Sequence, residues 1–188
     1  MVQTIFITSL ISVAFIAGML VFSIAAPKRR LWPVGHATLG NQIMIWLPTL
    51  LVFGGGLLLG VIDWNGLNWP AWFRWGIGLP LIVGGNAVVW RGVLGIGMRA
   101  TSGEVATLKT DGLYRWSRNP QYVADMAILA GWAILMASAW VWPIAISGIA
   151  VLVLAPFAEE PWLSKQYGEE YERYRERTDR FIGWSARA

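Results

Sequence analysis

Two short constellations hold most of the polar chemistry of an otherwise apolar chain. The first is the run Asp111-Gly112-Leu113-Tyr114-Arg115-Trp116-Ser117-Arg118-Asn119-Pro120-Gln121-Tyr122. Pro120 suits the first turn of a helix, Asn119 the cap before it, and Gly112 a backbone turn. A helix starting there aims unpaired N–H groups at a carboxylate or phosphate, with Arg118 beside them. The plainer reading is a capped, positively flanked helix start. The second constellation is Glu159-Glu160-Pro161-Trp162. Adjacent carboxylates at a water–lipid boundary disfavour double ionisation, which suits one of them to general-base work. The plainer reading puts both in water at the start of a tail helix, with Pro161 at its first position.

Other polar residues carry less. Asp125 lies three residues after Tyr122 on the same helical face, where it either faces the bundle interior or a water-filled cavity, or snorkels to the near interface. Asn86 is placed to hydrogen-bond between helices. His36, the sole histidine, reads as a solvated loop residue. Gly95-Ile96-Gly97-Met98-Arg99-Ala100 has the spacing of a dinucleotide fingerprint but follows an apolar helix instead of a buried strand, so that reading is set aside. Thr101 and Glu104 form a capping-box pattern. No metal-ligand spacing, nucleophile elbow or phosphate-binding loop is present, and metal ligands are not expected.

The elements that must position these groups follow from composition. Of 188 residues 56% are hydrophobic and only 14% charged, with 13 Trp and no Cys; the mean hydropathy is +0.51. Disorder needs low hydrophobicity, a disulfide scaffold needs cysteines, and a soluble domain carries roughly 25% charged residues. The expected fold is therefore all-α, a polytopic transmembrane bundle of about five spans of ~20 residues each. The net charge of +4 fits the basic loops that orient membrane proteins; no nucleic-acid partner is expected.

Apolar runs place the spans at about 5–26, 43–62, 74–91, 121–137 and 141–158 of a single membrane domain. The second contains Pro48 and the triplet Gly54, Gly55, Gly56, which permits close helix approach. Trp64, Trp69 and Trp72 fit an interfacial belt, and Arg74 and Arg91 are expected to snorkel to opposite faces of a short third span. Residues 92–120 form a polar loop. Residues 159–188 form a charged helical tail, with Leu163, Tyr167, Tyr171 and Tyr174 in one amphipathic stripe. With 28–41, 91–121 and 159–188 on one side, that side holds 14 of the 15 Lys and Arg. The N-terminus is then outside and the C-terminus cytoplasmic, in an inner or plasma membrane.

Taken together, the run from Gly112 to Tyr122, the apolar hairpin, Glu159-Glu160, and then Leu163, Tyr167-Gly168-Glu169-Glu170-Tyr171 and Tyr174 resemble the integral-membrane methyltransferases that include isoprenylcysteine carboxyl methyltransferases and phospholipid N-methyltransferases. The resemblance covers roughly residues 90–182 and rests on the order and spacing of the Arg-x-Pro-x-Tyr and Glu-Glu motifs. It implies S-adenosylmethionine as cofactor, bound at the cytoplasmic side by Gly112, Tyr114, Arg118, Asn119, Pro120, Tyr122 and Glu160. It implies a membrane lipid or lipidated small substrate as acceptor. The isoprenylcysteine branch usually has His where this chain has Asn119, and Arg where it has Pro156. The phospholipid branch is closer in Arg-Asn-Pro-x-Tyr and Glu-Glu-Pro, whereas the Leu163 to Tyr174 pattern is closer to the carboxyl branch.

The resemblance thus implies methyl transfer to a phospholipid head-group amine, with carboxyl methylation of an isoprenylcysteine-like acceptor as the alternative. For an amine, Glu160 is the candidate base and Glu159 helps to place the ammonium; for a carboxylate, Arg118 or a tail arginine must supply the cation. Asp125, Tyr171 and Tyr174 are candidate substrate-binding residues. The competing class is a non-enzymatic assembly factor or small transporter, which calls for no saturable cofactor binding.

Overall fold

The computed structural model describes residues 1–35, 38–96 and 107–183. His36, the Gly97 to Ala100 part of the glycine-rich run, and Thr101 and Glu104 lie outside the described residues. Helix α1 is Val2–Ala25 and α2 is Leu39–Ile62. A single turn, α3 (Ala71–Phe73), passes through a π-helical stretch at Arg74–Gly78 into α4 (Leu79–Ile96). Helix α5 is Pro120–Met136, α6 is Val141–Tyr167 and α7 is Glu169–Arg177. No strand occurs among the described residues.

Four of these helical stretches, Val2–Ala25, Leu39–Ile62, Ala71–Leu94 and Val141–Tyr167, are long and apolar enough to cross a membrane. The fifth, α5, has 17 residues, which at ~1.5 Å per residue gives it about 25 Å of length. The chain is an all-α polytopic bundle of an integral membrane protein.

Helix α5 lies at the centre, packed on α4 and α6. Its seam with α4 is set by glycines seven residues apart. A Cβ on Gly78 would stand 2.8 Å from the Leu135 backbone nitrogen, one on Gly85 2.8 Å from the Ala124 carbonyl oxygen, and one on Gly92 2.7 Å from the Gln121 amide. From the other side, a Cβ on Gly131 would stand 2.7 Å from the Gly78 carbonyl. Lipid gives helices no hydrophobic reason to associate, so close backbone approach through small residues supplies the contact. Leu59, Ala133, Val141, Ile144 and Ala145 complete the core between α2, α5 and α6. In α1, the buried hydroxyls of Ser9, Ser12 and Ser23 donate to carbonyls four residues back, which lets them sit among apolar neighbours.

The far end of the bundle is stapled. Carbonyls at the C-terminal end of a helix are orphaned, and three here find donors: Arg74 Nε to Leu135 at 2.8 Å, Asn65 N to Met136 at 2.8 Å and Leu67 N to the cap residue Ala137 at 2.9 Å. Ser138 Oγ donates to Asp63 Oδ2 at 2.7 Å. Arg74 therefore does not snorkel to water: it is buried, with its guanidinium 4.5 Å over the Trp64 ring. The third span is also longer than 74–91, because the Trp-rich segment enters helix at Ala71.

At the opposite, basic end, α6 continues through Glu159, Glu160 and Pro161 to Tyr167 and stops at Gly168, whose φ of +58° favours glycine. The tail is thus two pieces, the last turns of α6 and then α7. Pro161 lies inside a helix rather than at the first position of one.

Candidate active site

The site is assembled where the start of α5, the last turns of α6, and α7 with the residues after it converge. Gly112, at φ +60°, turns the chain into a 3-10 stretch, Gly112–Arg115. Pro120 opens α5 as the motif suggested, but Asn119 does not cap with its side chain. Its Nδ2 instead donates to the Arg180 carbonyl at 2.9 Å, while its backbone N–H goes to Ser117 Oγ at 3.0 Å.

Glu160 is the hub of an ion-pair lock. Its Oε1 accepts from Arg118 Nη2 at 2.7 Å and Arg180 Nε at 2.8 Å; its Oε2 accepts from Arg180 Nη2 at 2.7 Å. Arg118 Nη1 also donates to the carbonyls of Arg175 (3.0 Å) and Thr178 (2.6 Å). The Arg118 backbone N–H bonds to the Asp179 carbonyl at 2.9 Å, and Tyr174 Oη donates to the Tyr114 carbonyl at 2.7 Å. The tail is strapped across residues 114–119.

Beneath the strap lies a cavity of about 610 Å³, a size suited to small-molecule ligands. Its basic end is lined by Tyr114, Arg118, Asn119, Tyr167, Tyr171 and Tyr174, and its deeper part by Val13, Ile16, Val52, Leu129, Gly148 and Leu152 from α1, α2, α5 and α6. Glu159, Tyr122, Gln121 and Asp125 line it between. Among the described residues, Arg118 Nε, Gln121 Nε2 and Tyr171 Oη have no hydrogen-bond partner although each atom is buried. Buried donors without partners are costly, so three donors are available to a polar ligand in this cavity.

The two glutamates differ sharply. Glu160 is spent on its guanidinium partners and does not line the cavity. Glu159 lines it, and its Oε1 accepts from Trp32 Nε1 at 2.6 Å and from Tyr122 Oη, leaving Oε2 without a hydrogen bond among the described residues. The expectation of Glu160 as base does not fit this geometry, because two cations hold its oxygens away from the cavity. Burial, with the negative charge of Glu159 adding to it, pushes the Tyr114 phenol up to about 12. Burial likewise raises Tyr171 and Tyr174. All three are therefore neutral phenols at physiological pH.

Of the residues singled out in the sequence, Tyr114, Arg118, Asn119, Tyr122, Asp125, Glu159, Tyr171 and Tyr174 meet at the cavity. Gly112 and Pro120 shape the backbone without lining it. Sequence reasoning missed Trp32, Gln121 and Arg180. Gln121 stood inside the motif and had a legible signal, a polar residue one turn before Asp125.

Residues 73–170 match the family model for phospholipid methyltransferases. The chain belongs to the phospholipid methyltransferase family. It is a membrane methyltransferase of the phospholipid or isoprenylcysteine type. No curated protein and no solved structure matches the chain. In this phospholipid methyltransferase family member, the matched stretch runs from the last residue of α3 to the start of α7 and so includes both motifs. Trp32 and the α1 and α2 walls of the cavity lie outside it.

Proposed function

We propose that the protein transfers a methyl group from S-adenosylmethionine to the amine of a membrane phospholipid head group. The observation that carries this reading is the single cavity that joins a polar basic end to an apolar sleeve between spans, with the Glu159 carboxylate between them. The polar end suits the cofactor: Tyr171 Oη and Arg118 Nε offer donors unpaired among the described residues, and Tyr114, Asn119 and Tyr174 add polar surface. The sleeve suits an acyl chain.

When bound, S-adenosylmethionine supplies a methyl carbon on a cationic sulfur; the acceptor nitrogen's lone pair forms the new N–C bond as the C–S pair stays on sulfur. The chain's own part is to hold donor and acceptor in line, exclude water and take a proton. A protonated amine has no free lone pair, and Glu159 Oε2 is the carboxylate oxygen left to receive its proton. Charge favours an amine over a carboxylate acceptor. Glu159 and Asp125 both line the cavity, and the Nη atoms of Arg118 are already committed to Glu160 and the tail carbonyls. The basic-residue bias supports a cytoplasmic cofactor site.

The test is transfer of labelled methyl from S-adenosylmethionine in native membranes containing the protein, followed by lipid extraction and mild base. Base-stable label in a phospholipid is expected. Base-labile label would indicate a methyl ester and overturn the amine reading. Absence of saturable cofactor binding would return the chain to the non-enzymatic class. Glu159→Gln is expected to lower the transfer rate by about 10² to 10⁴-fold while cofactor binding persists.

A further inference from the structure

We propose that Trp32, in the loop between α1 and α2, is a positioning residue for methyl transfer: it ties down one oxygen of Glu159 so that the other is presented to the acceptor. The inference rests on the Glu159 reading above and extends the site to a segment outside residues 73–170.

Three contacts hold the loop, one to the end of α1 and two to α6. Ser23 Oγ, near the end of α1, donates to the Met19 carbonyl at 2.7 Å and accepts from the backbone N–H groups of Leu31 and Trp32, both at 3.0 Å. The Arg30 guanidinium lies 5.6 Å from the ring centroid of Trp162, one helical turn beyond Glu159. The Trp32 indole, only 9% exposed, reaches Glu159 Oε1 at 2.6 Å. Tyr122 bonds to the same oxygen.

An indole N–H is a donor only. It can hold a carboxylate oxygen, but it cannot exchange a proton with the acceptor at neutral pH. Two donors on Oε1 fix the rotation of the carboxylate, and a charged acceptor strengthens both bonds. Oε2, unpaired among the described residues, then has one orientation relative to the cavity. Without Trp32 the carboxylate is free to turn about its bond to Tyr122, and fewer encounters place Oε2 at the amine. Such a role acts on the rate of transfer and leaves cofactor affinity alone, because Trp32 bonds to Glu159 and not to the strap residues at the basic end.

The full chain in lipid nanodiscs, with phosphatidylethanolamine as acceptor and labelled S-adenosylmethionine as donor, gives kcat, KM for the cofactor and melting temperature for wild type, Trp32→Phe, Ser23→Ala and Glu159→Gln. Phe keeps an aromatic ring in the loop and removes the donor, with a small loss of volume. Trp32→Phe is expected to lose about tenfold to a hundredfold in kcat, the size of one hydrogen bond to a charged group, with cofactor KM within about twofold of wild type and only the modest fall in melting temperature that one lost buried bond entails. Ser23→Ala, which releases the backbone of the loop, is expected to lose kcat by a smaller factor. Wild-type kcat in Trp32→Phe overturns the proposal, as does a joint collapse of kcat, cofactor KM and melting temperature, the mark of a purely structural residue. If Trp32→Phe does not fold, unchanged kcat in Ser23→Ala overturns it instead. An active Glu159→Gln, or a wild type that transfers nothing, would fail the underlying reading; an inactive Glu159→Gln beside a fully active Trp32→Phe would fail this inference alone.

Discussion

Glu160 sits between two guanidinium groups, and replacing it with Gln would leave Arg118 with a buried charge and no counter-charge. Breaking a buried pair from one side costs about 3–5 kcal/mol; the partial exposure of Arg180 puts Glu160→Gln at the lower end, about 3 kcal/mol. The expected result is a lower melting temperature and faster proteolysis after residue 168, measured side by side with Glu159→Gln, which keeps the strap. Tyr114 offers a second check. Below pH ~10, the ordinary phenol value, folded and unfolded chains both keep its proton and the stabilisation is complete. As pH rises from there toward about 12, the unfolded chain loses the proton first, so stability falls. A melting-temperature series across that range should show the fall, and Tyr114→Phe should reduce it.

Which glutamate faces the cavity is a matter of element geometry, and it was not legible in the sequence. Neighbouring residues on a helix differ by about 100°, so Glu159 and Glu160 must diverge. Their phase depends on α6 running through Pro161 to Gly168, where local rules place a new helix start. The all-α apolar bundle itself was legible, because long apolar runs have few alternatives in lipid. The motif around Arg118 correctly marked the start of α5. The Trp32–Glu159 contact joins residues 127 apart, and no local pattern encodes such a pairing. The recurrence of Gly78, Gly85 and Gly92 was visible but acquires meaning only beside α5. Adding even one methyl at Gly131 pushes on the Gly78 carbonyl, so Gly131→Ala should cost about 1–3 kcal/mol, checked by thermal unfolding in detergent. Ala at Gly84, which has nothing within 4 Å of its Cβ position, is the control.

At the scale of the whole molecule, the cavity takes its walls from both halves of the chain. Helices α1 and α2, which the matched stretch does not include, supply Val13, Ile16 and Val52 to the sleeve. Gly148 lines the same sleeve, and a Cβ there would stand 3.0 Å from Leu129 Cδ1. A bulky side chain at that position fills the sleeve without touching the basic end. Gly148→Phe is expected to raise KM for a long-chain acceptor by about tenfold, roughly 1.4 kcal/mol, while KM for the cofactor stays constant; steady-state assays varying one substrate at a time separate the two.

The stapled far end bears on how such a molecule can breathe. With the carbonyls of Leu135, Met136 and Ala137 each tied to a donor from the segment between α2 and α4, and Ser138 tied to Asp63, that end acts as a fixed hinge-pin for the helices that leave it. Lever arms anchored there swing widest at the opposite end, where the strap lies. An opening that admits a ligand is then expected at the strap, with the stapled end held shut by its hydrogen bonds.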